Sequence, residues 1–225
     1  MAMDGLDRCS NFVKAILKWG RKHRRNFPWR TSPHVLDKLI AEVFLQRTPA
    51  ERVAKKYNDL VSVFSTSISK KEIPQIVERF KDLGLGKRIH WLIESINTID
   101  TKHGGLVPNK FEDLIQLPGI GLYTANAVLC FGFGDSVPLV DTNISRILNR
   151  FFGISKDSRI SKSSPMFLLA ETLVPKKSPE VYNYALIDFG SLVCKKRPKC
   201  PSCPLLGICP SKSLFEDLSF DSKRE

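Results

Sequence analysis

Four cysteines stand within sixteen residues of a 225-residue chain, in the order Cys194-x5-Cys200-x2-Cys203-x5-Cys209. Thiolates gathered this tightly are metal ligands in a reducing compartment, and the spacing fits either a structural zinc site or a four-cysteine iron–sulfur cluster. Zinc sites usually pair two C-x2-C knuckles, and only Cys200 and Cys203 form one here. Cys9 and Cys130 stand apart within helical pattern, so the six cysteines do not read as a disulfide framework. Lys195, Lys196, Arg197 and Lys199 lie between the first two clustered cysteines. They form either a solvated loop or a phosphate-binding loop braced by the metal.

Two further segments carry chemistry. Leu117-Pro118-Gly119-Ile120-Gly121 separates two short helical runs. Paired glycines permit positive φ and close backbone approach, and the following helix start offers free N–H groups and a positive dipole end. Those donors can hold a phosphate oxygen without reading a base, with Ile120 plugging the turn onto neighbouring helices. Twenty residues after Gly121 comes Val140-Asp141-Thr142-Asn143. An Asp ahead of a helical run is ordinarily an N-cap. It is also a carboxylate that can face a developing cation. At ~4 Å and an effective dielectric of ~20 that interaction is worth about 4 kcal/mol, roughly a thousandfold in rate.

The composition favours such partners. The formal net charge is +12 with 42% apolar residues, which implies a polyanionic partner, nucleic acid first. No run approaches the ~18 apolar residues of a membrane span, and the first residues lack a signal-peptide core. A soluble intracellular protein of cytoplasm and nucleoid, or of a nucleus, is expected.

The elements that must position these groups read as helices throughout. Apolar residues recur at spacings of three and four over 6–23, 35–46, 51–64, 74–83, 87–103, 111–117, 123–133, 142–152, 164–173 and 179–193, with no alternating run long enough for a strand. Glu42 falls on the apolar face of the second of these, where a carboxylate is unusual unless paired or functional.

Leu114-x-x-Leu117-Pro-Gly-Ile-Gly-x-Tyr-Thr-Ala-x-Ala-Val resembles the helix–hairpin–helix of the endonuclease III superfamily, and Asn26-Phe27-Pro28-Trp29-Arg30 and Glu42-x-x-Leu45-x-x-Thr48 resemble segments of MutY-type adenine glycosylases and archaeal mismatch thymine glycosylases. The likeness spans about residues 10–209. It implies an all-α fold of two helical domains with a DNA cleft between them: a six-helix domain over 28–137, and a cluster domain formed by 1–27 and 138–225. It implies a [4Fe-4S] cofactor on Cys194, Cys200, Cys203 and Cys209, although the first gap is one residue shorter than that family's usual spacing. It assigns Asp141 as the catalytic carboxylate, and Glu42 and Tyr123 as active-site residues. Gln46 matches a residue that wedges into the duplex when a base flips out, Arg47 is its neighbour, and Leu85 is a second wedge candidate. Tyr123 stands where endonuclease III-type enzymes carry a Schiff-base lysine, which excludes a lyase acting from that position. Tyr123, Arg47 and the short stretch after Cys209 resemble the mismatch thymine glycosylases. The expected function is therefore a monofunctional, monomeric DNA glycosylase that removes thymine or uracil opposite guanine from double-stranded DNA. The alternatives are an adenine glycosylase, and a non-catalytic DNA-binding protein that keeps hairpin and cluster as a scaffold.

Overall fold

A computed structural model describes residues 5–66, 68–84, 86–155 and 160–212, and every regular element among them is helical. The chain divides into two compact units, Asn26–Asp135 on the one hand, and Met1–Arg25 with Ser136–Glu225 on the other. None of the described helices is long and apolar enough to cross a membrane.

The chain opens with α1 (Gly5–His23), which buries Phe12, Ile16 and Trp19 along one stripe. Asp7 in its first turn and Arg21, Lys22 and His23 in its last complement the helix dipole.

The unit Asn26–Asp135 holds α2 (Val35–Leu45), α3 (Ala50–Phe64), α4 (Ile73–Arg79), α5 (Gly86–His103), α6 (Phe111–Leu114) and α7 (Leu122–Val128). α2 is its axis: Leu39, Ile40, Ala41, Val43 and Phe44 are all buried, so this helix is apolar nearly all round. Phe44 meets Phe64 and Phe80 with ring centroids 5.6 and 6.3 Å apart. Phe27-Pro28-Trp29-Arg30 is a packed corner, with Trp29 stacked on Phe27 at 4.7 Å and leaning on Tyr57 at 5.8 Å. Two helices are shorter than their sequence periodicity predicts. α4 gives way at Phe80 to a tighter turn, Lys81–Leu83. α6 stops at Leu114, where the chain tightens into i→i+3 turns, Gln116 N–H donating to the Asp113 carbonyl and Leu117 N–H to that of Leu114. α7 passes directly into one widened π turn, Leu129–Phe133, whose Phe131 carbonyl accepts from Lys38 Nζ at 2.6 Å.

The other unit adds α8 (Thr142–Phe152), α9 (Pro165–Leu173) and α10 (Pro179–Leu192) to α1. α1 and α10 run against each other so closely that a Cβ on Gly20 would lie 2.3 Å from that of Ala185. Just past α1, Arg25 donates from Nε and from its backbone N–H to the two carboxylate oxygens of Asp188, at 2.7 and 3.0 Å. Asp188 is wholly buried, so this pairing is what makes a carboxylate tolerable inside α10.

Candidate active site and metal centre

Asp141 is the N-cap of α8, with extended backbone, and its Oδ1 accepts the Ile144 N–H at 2.7 Å. The capping contact leaves Oδ2, which accepts Asn143 Nδ2 at 3.0 Å. The second oxygen is thus held by an amide, with lone-pair capacity remaining on a partly exposed side chain. That arrangement fixes the carboxylate plane, which is what a group meant to face a developing cation needs.

The same helix pins the cysteine segment. Arg146 is 7% exposed; its Nε donates to the Cys194 carbonyl at 2.9 Å and its Nη2 to that of Gly190 at 3.0 Å. Burial, more than the neighbouring Arg150, pushes its guanidinium below the ordinary arginine range, while Cys194 and Asp141 pull the other way. Asn143, Arg146 and Arg150 follow Asp141 along α8, the two arginines four residues apart on one side of the helix. Sequence reasoning gives none of the three a role, and polar residues at helical spacing behind a chemistry-bearing cap are the available signal.

Cys194, Cys200, Cys203 and Cys209 all line one small concavity, together with Arg150, Phe151 and Leu205. None of the six cysteines is in a disulfide. The Cys203 thiol is raised to about 11, chiefly by burial, with a backbone N–H from Leu205 opposing and the other three clustered cysteines adding to the rise. Among the described residues no three His, Cys, Asp or Glu side chains converge tightly enough to hold one ion. The four cysteines nonetheless line the same concavity, and four thiols are the donor set of a cluster with one ligand per iron. Lys195, Lys196, Arg197 and Lys199 lie in the segment beside it, the first three of them between Cys194 and Pro198.

In the other unit, Glu42 is 5% exposed on α2, which excludes a surface glutamate at a helix edge. Tyr123 lies half-buried in the first turn of α7. Gly119 takes φ +75°, Ile120 is buried at 5% exposure, and Gly121 is the exposed N-cap of α7. Three contacts seat the hairpin. Ser95 Oγ donates to the Pro118 carbonyl at 3.1 Å, the Trp91 ring fills the space beside Gly119, and Gln46 Nε2 donates to the Gly119 carbonyl at 3.0 Å and to Thr124 Oγ1 at 3.2 Å. Gln46 is therefore tied to the hairpin, and as a wedge it would have to release both bonds. Arg47 has φ +60°, a conformation rare for a side-chain-bearing residue. Leu85 lies outside the described residues. Gln46, Arg47, Lys87, Arg88 and Trp91 line an open concavity of about 600 Å³ with no carboxylate among its described lining residues. Burial, then the neighbouring Arg47, lowers the Arg88 guanidinium below its usual value. Lys87, Arg88 and Trp91 are not anticipated from the sequence; a tryptophan one turn past two adjacent cations is the readable clue.

A helix-hairpin-helix motif profile matches residues 102–131. The chain is 36% identical over 204 residues to a thymine/uracil-DNA glycosylase of Methanothermobacter thermautotrophicus, covering 88% of this chain and 91% of that protein. It is 31% identical over 204 residues to an adenine DNA glycosylase of Buchnera aphidicola, covering 89% of this chain but only 58% of that protein. Among solved structures, a thermostable thymine-DNA glycosylase superposes with a TM-score of 0.83 at 32% identity, covering 92% of this chain and 98% of the other. Endonuclease III trapped on DNA shares the fold, with a TM-score of 0.78 at 22% identity over 94% of this chain and 99% of that one. With the hairpin in place, Asp141 capping α8 and four cysteines lining one concavity, the chain belongs to the helix–hairpin–helix DNA glycosylases of the endonuclease III and MutY superfamily.

Proposed function

We propose that this protein hydrolyses the N-glycosidic bond of thymine or uracil mispaired with guanine in duplex DNA and leaves the strand intact. The observation that carries the reading is Asp141, whose carboxylate is oriented by Ile144 N–H on one oxygen and by Asn143 on the other. Base departure builds positive charge on the deoxyribose, and a fixed carboxylate stabilises it and orients the attacking water. Tyr123 cannot form a Schiff base, so no lyase step acts from that position and the expected product is an abasic site. Arg47, Lys87 and Arg88, gathered with Trp91 and without a carboxylate, suit the acceptor edge of an orphaned guanine, whose O6 and N7 take a guanidinium. The relatives named for thymine and uracil support this choice of base.

The four cysteines suit a [4Fe-4S] cluster by number, by thiol chemistry and by lining one concavity. When bound, the cluster supplies a rigid anchor for the segment 194–209. This chain's own residues do the rest: Lys195, Lys196, Arg197 and Lys199 meet phosphates, and the hairpin Gly119-Ile120-Gly121 holds another phosphate through backbone N–H groups. Changing Lys196 and Arg197 together to Ala is expected to weaken binding to all duplexes alike. The slope of log affinity against log salt should fall by about one for each phosphate no longer neutralised. A weakening confined to mispaired duplexes would show that the loop reads the lesion instead.

Adenine removal is the second reading, favoured by the burial of Glu42, which in such an enzyme protonates the departing purine. A panel of duplexes carrying G·T, G·U, A·8-oxoguanine, A·G or thymine glycol decides between them. We expect release of thymine and uracil opposite guanine, strand breaks only after alkali, and negligible covalent trapping by borohydride. Adenine release would establish the second reading. Duplex binding without any abasic product would leave a DNA-binding scaffold and overturn both.

A further inference from the structure

Arg150 lies nine residues after Asp141, near the end of α8. Its Nη1 donates to the Lys195 carbonyl at 2.6 Å and stands 3.4 Å from Cys194 Sγ, and its Nη2 donates to the Lys196 carbonyl at 2.9 Å. Its own carbonyl accepts Ser211 Oγ at 2.6 Å, two residues past Cys209. One guanidinium therefore touches the sulfur of the first clustered cysteine and the backbone of the basic loop, while its residue also holds the chain just after the last cysteine. A second cation is close. Arg8 of α1 donates to the Phe151 carbonyl, and its guanidinium lies 5.2 Å from the Phe151 ring centre.

Tying a loop to a helix needs no cation, since a serine or an asparagine reaches a carbonyl equally well. A guanidinium within reach of a ligand sulfur does something more. It withdraws electron density from the thiolate and stabilises whichever state of the bound centre carries more negative charge. We propose that Arg150 is a positioning residue that raises the reduction potential of the cluster held by Cys194, Cys200, Cys203 and Cys209, and fastens the Lys195–Lys196 backbone to that cluster's first ligand. This rests on the reading of those cysteines as iron–sulfur ligands.

The visible spectrum of the purified wild-type protein tests that underlying reading by itself, because a colourless protein with bound zinc removes the cluster and the proposal together. In the loaded protein, one electron is exchanged between cluster and electrode, and the midpoint is compared in wild type, Arg150→Gln, Arg150→Lys and an exposed control on α1, Lys18→Gln. Arg150→Gln is expected to shift the one-electron equilibrium at least tenfold toward the oxidised form, about 59 mV to more negative potential. Arg150→Lys should recover part of that shift, since it returns the charge without the fork, and Lys18→Gln should match wild type. Iron loss to a chelator should be several-fold faster in Arg150→Gln. If Arg150→Gln is isolated without iron but with native helical circular dichroism, the fastening role is supported, and the midpoint of Arg150→Lys then carries the comparison. Equal midpoints in every variant that retains its cluster overturn the proposal.

Discussion

Asp141→Asn is expected to lower single-turnover base release about a thousandfold or more while duplex affinity stays close to wild type. The cap survives the change. Asn ranks beside Asp as an N-cap, so its side-chain oxygen keeps the Ile144 N–H and α8 stays anchored. The new amide nitrogen then faces Asn143 Nδ2, two donors where a donor met an acceptor. Asn143 resolves this by turning its amide to present oxygen, so the stability cost should stay within about 1 kcal/mol. What disappears is the negative charge, and with it the stabilisation of a cationic sugar. Rapid-quench measurement on a G·U duplex reads the rate, a gel shift the affinity, and a thermal melt the fold. A single-turnover rate near wild type on every mispair would sink the mechanism, however well the motifs match.

Gly119→Ala is expected to weaken binding to every duplex roughly ten- to a hundredfold, with little preference among mispairs. Two penalties meet at this residue. At φ +75° a Cβ crowds the following carbonyl, at about 1–2 kcal/mol for a left-handed residue. The new methyl would also lie 2.8 Å from a ring carbon of Trp91 and 3.2 Å from its Cβ, too short to keep. The near wall of an indole cannot swing aside as a flexible chain end would, and overpacking of this kind costs about 1–3 kcal/mol. The hairpin must tilt, breaking the bonds from Gln46 to the Gly119 carbonyl and from Ser95 to that of Pro118. Each ~1.4 kcal/mol removed from the bound geometry is a tenfold fall in affinity. The double variant Gly119→Ala/Trp91→Ala separates the two penalties, because it relieves the clash and leaves the backbone strain. Affinity should return in part. If the double variant binds no better than Gly119→Ala alone, Trp91 is not what limits the hairpin.

The helices are readable because each carries its own periodicity, and α1, α5 and α8 begin and end within a residue or two of where apolar spacing predicts. The misjudged ends, at α4 and α6, lie where turn geometry overrides apolar pattern, and the π turn after α7 leaves no trace in a 3.6-residue period. Cysteine spacing and the Pro-Gly-Ile-Gly run are visible because all their parts are local. Arg146 and Arg150 are not, since their meaning comes from carbonyls some 45 residues further along the chain. Gln46 stands out as a polar residue at the end of an apolar helix, but its bonds to Gly119 and Thr124 bridge more than 70 residues. Short-range pattern announces which residues are unusual; only folding decides what they face.

The seam between α1 and α10 has a consequence for biogenesis. Gly20 and Ala185 meet almost backbone to backbone, yet roughly 165 residues separate them. At ~5–20 residues per second, a ribosome takes about 10–30 seconds to deliver the second after the first. For that interval Trp19 has no Phe189 of α10 to rest on, and Phe12 waits in turn for Phe151 and Phe152 of α8, whereas Asn26–Asp135 is synthesised in one stretch and can close on itself. The nascent chain therefore carries a sticky amphipathic leader ahead of an already folded unit. It should be a client for a holdase that grips apolar helices at the tunnel exit, released when the codons for Pro179–Leu192 have been read.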